Sequence, residues 1–299
     1  MISNLEIKWL HDIVVLEECR SFTLAAEKRN ISQSSFSRRI QSIESSVGFE
    51  IFDRNTNPLQ LTTQGKSFIV YARNLLDDIY FQINRIKGID NDKQKINISA
   101  AHSLSVFLLP DFISQFSKNV DKIFFVESIN VDEAVHKLKE GQSDFILSFY
   151  NEELMSSPFL HTKILESRLH LVSPCDEKKR PIFNIDSSTL PLMKYTDESY
   201  MGRQVNQLIN KSDNLPFELS FVSSMSDVLK RMILTGSGVG WLPDYSIKNE
   251  LEKNELAILD PKLSVTMGVY IYRTEARLNI SSEHKHAFGV SIAAKPLYF

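Results

Sequence analysis

Two short helical segments joined by a tight turn constrain the fold of this chain most strongly. In SFTLAAEKRN the polar Ser21 precedes an apolar first turn, and in ISQSSFSRRIQSIE Ser32 precedes a longer helical pattern. Serine stabilises a helix start because its hydroxyl accepts hydrogen bonds from the free N–H groups of the first turn. Phe36, Ile40 and Ile43 recur at helical spacing and form one apolar face. The segment therefore predicts a helix-turn-helix.

The second of these helices has a polar face. It consists of short or forked hydrogen-bonding side chains, including Gln33, Ser34, Ser37 and Arg38. Such a face can simply meet water, but these groups also suit base edges and phosphates, and arginine can bond guanine with two N–H groups. In a helix-turn-helix the first turn of the second helix lies in the major groove. We therefore predict that this face reads double-stranded DNA.

The flanking segments complete a small domain over residues 1–62. Upstream, WLHDIVVLEEC has apolar positions at helical spacing. Downstream, Gly48 ends the second helix, and FEIFDRNTNPLQLT alternates around turn residues, which predicts a two-stranded wing. Arg54 lies at the tip of that wing, where it could hold the DNA backbone. The sequence thus predicts a winged helix-turn-helix domain.

The same residues resemble the LysR-type transcriptional regulators. The positions that match the family motif are Ala25, Ala26, Ser32, Gln33, Ser37, Arg38, Ile40, Glu44, Gly48, Phe52, Arg54, Leu61, Thr62 and Gly65. Ser34 stands where the family commonly has proline, and Ser35 replaces the usual alanine. The resemblance implies a homo-dimer or homo-tetramer with a dimerising linker helix and a regulatory domain that takes an effector.

The charge of the chain indicates a local basic surface. Residues 1–90 carry eleven Lys or Arg and eleven Asp or Glu residues, and the whole chain has a net charge of −3. Any basic footprint on DNA must therefore be local. We expect it to be formed by Lys28, Arg29, Arg38, Arg39 and Arg54. Oligomerisation would multiply these contacts.

A long helix is predicted from Thr63 to Ile86, within a linker and hinge over residues 63–90. The segment has no proline and keeps apolar residues at nearly heptad spacing, which would make a helix roughly 36 Å long. It could pack on its own domain, but the resemblance implies that it dimerises, and we place Phe68, Leu75 and Ile79 in the seam. Gly88 and the polar residues after it form the hinge.

Residues 91–299 are predicted to form an α/β domain. KINISAA, KIFFVESI, SDFILSF and LHLVSP are short apolar or alternating runs between helix-like stretches, the pattern of mostly parallel strands. The resemblance implies two lobes like those of periplasmic binding proteins, with the chain crossing between them near Glu166 and back near Met267. It also implies that the effector binds between the lobes. The C-terminal SSEHKHAFGVSIAAKPLYF lacks the closing helix usual in the family.

Several residues are expected to face the cleft, because ligands bind at the carboxyl ends of strands in such folds. His102 and Ser103 follow the first strand, and Ser148 and Phe149 end another. A lone histidine is more often a satisfied core or capping residue, so its place after the strand is the reason to include it. Ser224 and Asp227 have capping-box spacing, which predicts a helix N-terminus suited to polar or anionic ligands.

Two methionines are candidate sensing residues. AHSLS, VDEAVHKLKEGQSD, SYMGR, FVSSMS and GWLPDY are similar to the hypochlorite-responsive LysR-type regulators of enteric bacteria. This resemblance implies control by methionine oxidation, which turns an apolar thioether into a polar sulfoxide. Met201 is the preferred switch, and Met225 is the second candidate. Tyr200 and Arg203, on either side of Met201, are also expected at the effector site. Phe116 occupies the position of a further expected methionine.

A second effector hypothesis is reversible binding of a small organic metabolite. In that case Met201 is an apolar wall, and His102, Ser103, Ser148 and Arg203 grip the ligand. A non-regulatory solute-binding protein is the competing class, but it would not need the first 65 residues. The two hypotheses that involve regulation differ in whether the effector modifies the protein covalently or binds it reversibly.

Other functional classes find no support in the sequence. Nucleophile elbows, zinc-protease pairs, phosphate loops and C-x-x-C are all lacking, so we predict no enzyme activity, no cofactor and no metal. Cys19 and Cys175 fall in different domains, which argues against a disulfide framework and against a two-cysteine peroxide sensor. Neither a signal peptide nor an apolar run of about 18 residues is evident, so we expect a cytoplasmic protein and no membrane partner.

Overall fold

The computed structural model describes residues 5–87, 94–117, 122–187, 189–212 and 215–275. The predicted hinge at residues 88–93 and the C-terminal segment from residue 281 lie outside these ranges, as does the side chain of Phe116. None of the helices in the described ranges is long and apolar enough to cross a membrane.

The N-terminal domain is a winged helix-turn-helix, as predicted. Its elements are α1 (Ile7–Cys19), α2 (Phe22–Lys28), α3 (Gln33–Val47), β1 (Phe52–Asp53) and β2 (Gln60–Leu61). The hydroxyls of Ser21 and Ser32 cap α2 and α3, and Gly48 ends α3 with a φ of 83°. Phe36, Ile40 and Ile43 of α3 are fully buried. The periodicity of the sequence was therefore sufficient to predict this core.

Two buried carboxylates fix the geometry of the N-terminal domain. Asp12 is fully buried in α1 and accepts from Arg29 at 2.6 Å and from Arg39 at 3.2 Å, which joins the three helices. Glu44 of α3 accepts from the backbone N–H groups of Ile51 and Phe52, at 2.9 and 3.2 Å. Because buried carboxylates are stable only with such partners, these bonds hold the wing against the recognition helix.

The long helix α4 extends over Thr63–Ile86, the range predicted. One side, including Ile69, Ala72 and Leu76, is buried against the N-terminal domain. Of the predicted seam residues, Leu75 is exposed and Ile79 is half-buried, and Phe68 packs edge-on against Phe49 of its own domain at 5.6 Å. A second, apolar face is exposed; it consists of Tyr71, Leu75, Tyr80, Ile83 and Ile86.

The regulatory domain combines a large sheet with flanking helices. Its strands are β3 (Gln94–Ala101), β4 (Lys122–Ile129), β5 (Phe145–Phe149), β6 (Phe159–Pro174), β7 (Leu190–Tyr195), β8 (Phe217–Ser223), β9 (Gly240–Pro243), β10 (Leu256–Ile258) and β11 (Ser264–Thr274). Its helices are α5 (His102–Phe107), α6 (Leu109–Ser117), α7 (Val131–Lys139), α8 (Tyr200–Lys211), α9 (Ser226–Leu234) and α10 (Asp244–Glu252). The order of the large sheet is β10-β6-β11-β5-β3-β4, with β9 also paired to β6.

Two long strands connect the lobes. β3 pairs in parallel with β4 and β5, and β7 with β8, as the sequence indicated. The expectation of a mostly parallel sheet is nevertheless wrong for β6 and β11, which pair antiparallel along the whole of β11, with Ser167 opposite Met267. This pair runs from the first lobe, which holds β3 to β5, to the second, which holds β7 to β10.

A substitution at Gly65 tests how closely α4 packs against the wing. A Cβ atom at this position would lie 2.0 Å from the backbone oxygen of Ile51, which cannot move without disturbing the bonds to Glu44. We expect Gly65→Ala to lower the free energy of unfolding by about 1 to 3 kcal/mol, measured by denaturant titration. Ser67→Ala, an exposed change in the same helix, is the control, and equal stability of the two variants would contradict this packing.

Candidate functional site

The recognition helix presents its predicted polar face to solvent. Gln33, Ser34 and Arg38 are exposed and Ser37 is half-buried, all in the first turns of α3. The Ser32 hydroxyl accepts from the N–H of Ser35 at 3.3 Å, which closes the helix start despite the absence of proline. The hydrogen-bonding groups that could contact base edges are thus present on one accessible surface.

The predicted basic footprint is smaller than expected. Arg29 and Arg39 turn inward to Asp12, and Lys28 pairs with Glu18 at 2.7 Å. Of the five cations, Arg38 alone has no ion pair with another residue in the described part of the chain.

Arg54 also points inward, to Glu44. The two charges lie 2.6 Å apart, and the Arg54 guanidinium lies 5.9 Å from the centre of the Phe22 ring. A count of the charged residues could not predict this ion pair, because it does not show which residues lie close together in the fold. Arg54 therefore ties the wing to α3 through Glu44, and the DNA backbone contact suggested by the sequence stays a prediction.

A small cavity lies between the two lobes of the regulatory domain. Its volume is about 50 Å³, and its wall includes His102, Ser103, Tyr200 and Met201, four of the predicted effector residues. His102 Nδ1 lies 2.8 Å from the hydroxyl of Ser128, and the Ser103 hydroxyl lies 2.8 Å from that of Tyr245. The cavity thus joins residues that are about 100 positions apart in the chain.

The prediction for Ser148 is wrong. Its side chain is fully buried in β5 and is not part of the cavity wall. Successive strand residues point to opposite faces, so the neighbouring Phe149 lines the cavity instead. The Phe149 ring stacks on Tyr200 of the other lobe, with centroids 4.5 Å apart and an interplanar angle of 5°. Of the two strand-end residues that were expected at the cleft, Phe149 lines the cavity and Ser148 does not.

The capping box predicted at Ser224 and Asp227 is also wrong. Helix α9 begins at Ser226, Met225 is its N-cap residue without a side-chain cap, and the Ser223 hydroxyl accepts from the Met225 N–H at 3.1 Å. The Met225 side chain is 40% exposed and does not line the cavity, whereas Ser224 and Ser226 do.

Met201 is buried at the N-terminus of α8. The Ser199 hydroxyl caps this helix by accepting from the N–H of Gly202. Gly202 is required here, because a Cβ atom would lie 2.0 Å from the backbone oxygen of Thr196. Met201 is only 6% exposed, yet it forms part of the cavity wall.

The Met201 sulfur accepts a hydrogen bond. Its donor is the Ser226 hydroxyl, at 3.4 Å, and the Tyr195 hydroxyl lies 2.9 Å from the same Ser226 oxygen. Burial raises the pKa of Tyr195 well above its usual range, so the phenol keeps its proton. Sequence analysis missed Tyr195 and Ser226, because a tyrosine ending an apolar strand and a serine beside Met225 give no distinctive signal.

An ion pair bridges the lobes at the rim of the cavity. The Arg203 guanidinium donates to both carboxylate oxygens of Asp132, at 3.1 and 3.2 Å, and to the backbone oxygen of Glu198 at 2.5 Å. Asp132 belongs to α7 of the first lobe and Arg203 to α8 of the second. Arg203 itself does not line the cavity. It lies at one edge of the cavity, where it is paired with Asp132, a residue of the wall.

Helix α7 contacts the N-terminal part of the chain at its other end. Glu140, its C-cap residue, lies 3.5 Å from Arg20 of the N-terminal domain. The backbone of Gly141 approaches Val70 of α4, since a Cβ atom there would lie 3.1 Å from the Val70 side chain. One short helix therefore connects the cavity with the DNA-binding domain and the linker helix.

The electrostatics of the cavity are mixed. The N-termini of α7, α8 and α9 all contribute to its wall, and helix N-termini favour negative charge. Asp132 and Glu198 also lie on the wall, and Arg203 contacts both residues. Within the described ranges, no cluster of three or more His, Cys, Asp or Glu side chains could hold a metal ion.

Comparison with known proteins gives matches over most of the chain. Residues 7–66 match the model for the bacterial regulatory helix-turn-helix protein, lysR family, and residues 90–282 match the LysR substrate binding domain. The HTH-type transcriptional regulator YjiE of Escherichia coli (strain K12) is 43% identical over 285 residues, which cover 95% of this chain and 93% of YjiE.

Two solved full-length structures are also similar. HypT from Salmonella typhimurium, described as a hypochlorite-specific LysR-type transcriptional regulator, is 39% identical with a TM-score of 0.64, covering 98% of this chain and 100% of HypT. DarR from Vibrio fischeri, solved in complex with DNA, is 37% identical with a TM-score of 0.61, covering 95% and 98% of the two chains.

The two arginines of the DNA-binding domain should behave differently when replaced. We expect Arg38→Ala to weaken binding to the promoter upstream of its own gene by about 1 to 3 kcal/mol in a gel-shift assay, if it makes a bidentate base contact. Its thermal stability should change little, because Arg38 makes no ion pair within the described residues. Unchanged affinity would rule out this face as the reading surface.

Arg54→Ala is the matched comparison. It removes the partner of the buried Glu44 carboxylate, so we expect the free energy of unfolding to fall by about 1 to 2 kcal/mol. Differential scanning calorimetry would measure this loss. A variant as stable as the wild-type protein would show that Arg54 is free for DNA, as the sequence suggested.

Proposed function

Because the chain belongs to the LysR family of DNA-binding transcriptional regulators, we propose that its regulatory domain senses hypochlorite through oxidation of Met201. The family consists of regulators and not of enzymes, so the effector alters DNA binding or transcription. The observation that carries the proposal is the position of the Met201 sulfur, in the wall of a small cavity between the lobes.

The size of the cavity favours a small oxidant. One water molecule needs about 10 to 15 Å³ on this kind of measure, so a volume of about 50 Å³ has room for only a few heavy atoms. Hypochlorite has two heavy atoms. An organic metabolite would need the lobes to separate first, so a metabolite is less compatible with this conformation.

The chemistry of the wall also favours an oxidant that carries negative charge. The N-termini of three helices converge on the cavity and favour an anion near the sulfur. Of the two carboxylates on the wall, that of Asp132 is paired with Arg203. The reaction converts the thioether and hypochlorite into a sulfoxide and chloride, so sulfur loses two electrons and chlorine gains them. The similarity to HypT, described as a hypochlorite-specific LysR-type transcriptional regulator, agrees with this assignment.

Oxidation would change the contact between the lobes. A sulfoxide oxygen is a strong acceptor in a site that is only 6% exposed, and burying it without a donor costs free energy. The donors nearby are on α8 and α9 of the second lobe, and Arg203 joins that lobe to α7. Because the far end of α7 contacts Arg20 and Val70, a shift of the lobes would reach the DNA-binding domain.

For the DNA contacts, we infer that Gln33, Ser34, Ser37 and Arg38 enter the major groove. Two copies of the recognition helix are needed to bind two half-sites. The exposed apolar face of α4 is suited to hold the copies together as a dimer, and a tetramer would pair two such dimers. Leu75, 46% exposed near the middle of α4, is the central residue of this face.

The assembly can be tested at Leu75. Leu75→Glu would place an unpaired charge in the seam, so we expect the dimer to dissociate at micromolar concentration. Multi-angle light scattering measures the mass. Lys66→Glu, a charge change in the same helix outside this apolar face, serves as the control. If Leu75→Glu retains the wild-type mass, α4 is not the seam.

The sensing mechanism can be tested by comparing two methionine variants. Met201→Ile and Met225→Ile keep the side-chain volume approximately, and each should cost less than about 1.5 kcal/mol of stability. With sub-stoichiometric hypochlorite, promoter transcription should respond in the wild type and in Met225→Ile, but not in Met201→Ile. Peptide mass spectrometry should find the added oxygen at Met201.

Two outcomes would favour the metabolite hypothesis instead. In one, Met201→Ile responds to hypochlorite like the wild type. In the other, dialysis reverses the response without a methionine sulfoxide reductase, which a covalent sulfoxide does not allow.

A further inference from the structure

The hydroxyl of Ser226 makes the two faces of the Met201 sulfur different. A thioether sulfur has two lone pairs, and oxygen added at one or the other gives opposite sulfoxide epimers. In this structure the Ser226 hydroxyl donates to the sulfur at 3.4 Å, which engages one lone pair. It is the one hydrogen-bond donor to this sulfur recorded within the described ranges.

The direction of the hydrogen bonds around Ser226 is determined by chemistry. Sulfur has no proton to give, so Ser226 must be the donor to Met201, and its single proton is then used. The Tyr195 phenol, 2.9 Å away, must therefore donate to the Ser226 oxygen. Tyr195, Ser226 and Met201 are 1%, 4% and 6% exposed, so water does not compete readily for these bonds.

We propose that Ser226, supported by Tyr195, selects the face of Met201 that hypochlorite oxidises, so that one sulfoxide epimer forms in large excess. The Ser226 hydroxyl blocks the lone pair that it engages, so the oxidant reacts at the other lone pair. The balanced reaction is the one given above, with hypochlorite as the oxidant and chloride as the leaving group. The inference rests on the proposed function, because both concern the same sulfur.

Stereochemistry at this sulfur bears on regulation. Each class of methionine sulfoxide reductase reduces one epimer. A sensor that forms a single epimer is therefore reset by one class of reductase and not by the other. Ser226 would then determine which sulfoxide epimer forms and which class of reductase converts it back to the thioether.

Trypsin gives a direct way to read the epimer. Cleavage after Lys194 and Arg203 releases YTDESYMGR, in which Met201 is the single methionine, and cleavage after Lys211 and Lys230 releases a peptide with Met225 alone. The folded full-length protein is oxidised with sub-stoichiometric hypochlorite and digested. Each of the two stereospecific reductases is then applied separately, and mass spectrometry quantifies the sulfoxide that remains.

For the wild-type protein we expect one reductase to reduce about ten times more of the Met201 sulfoxide than the other, the ratio that a preference near 1.4 kcal/mol produces. Two internal controls should show nearly equal epimers: the same chain oxidised in guanidinium chloride, and Met225, which is 40% exposed. The wild-type comparison does not depend on any variant folding correctly.

Variants then assign the effect to Ser226. In Ser226→Ala the excess should fall towards equal amounts, whereas Ser224→Ala, which removes a neighbouring hydroxyl of the same cavity wall, should keep it. Equal epimers from the folded wild type, or a full excess in Ser226→Ala, would overturn the inference and leave the proposed function standing. Absence of oxygen at Met201 would overturn both.

Discussion

The antiparallel pair of β6 and β11 is the constraint on which the regulatory domain depends. The two strands are paired from Phe159 opposite Thr274 to His170 opposite Ser264, with a single register shift after Val269. β5 attaches to this pair in the first lobe, and β9 and β10 attach to it in the second. Because both lobes are attached to one continuous pair, their relative position can change little without bending these strands.

This constraint makes small changes in the cavity important. The contacts between the lobes include the stacked rings of Phe149 and Tyr200 and the ion pair of Asp132 and Arg203. Both side chains of this ion pair are exposed to solvent. Exposed ion pairs contribute little to stability, so this edge of the contact between the lobes can respond to one new polar group. Helix α7 spans from this contact to Arg20 and Val70, so it is the element best placed to pass a movement to the DNA-binding domain.

The local patterns of the sequence predicted much of the fold. Helix caps at Ser21 and Ser32, the apolar face of α3 and the range of α4 all follow from spacing and capping, which act within a few residues. Features that depend on distant partners could not be predicted. Arg54 was expected on DNA, but its partner Glu44 is fixed only when the wing folds back. Ser148 and Phe149 were both expected at the cleft, but successive strand residues point to opposite faces, so Phe149 lines the cavity and Ser148 does not.

The candidate site also combines residues that local sequence patterns predicted with residues that depend on distant partners. His102, Ser103, Tyr200 and Met201 do lie on one cavity wall, since strand ends and helix starts converge in such folds. Asp132, Tyr195 and Ser226 became visible only in three dimensions. Each acts through a neighbour from another segment, and no short motif encodes such a neighbour. The methionines themselves were suggested by resemblance, because their number and spacing in the chain are ordinary.

A parallel titration tests the central claim most directly. Promoter transcription and the fraction of Met201 sulfoxide in YTDESYMGR would be measured on the same samples across a hypochlorite series. If oxidation of Met201 is the signal, the two curves coincide, and a reductase returns both together. Transcription that reaches its plateau while Met201 is still a thioether would contradict the account.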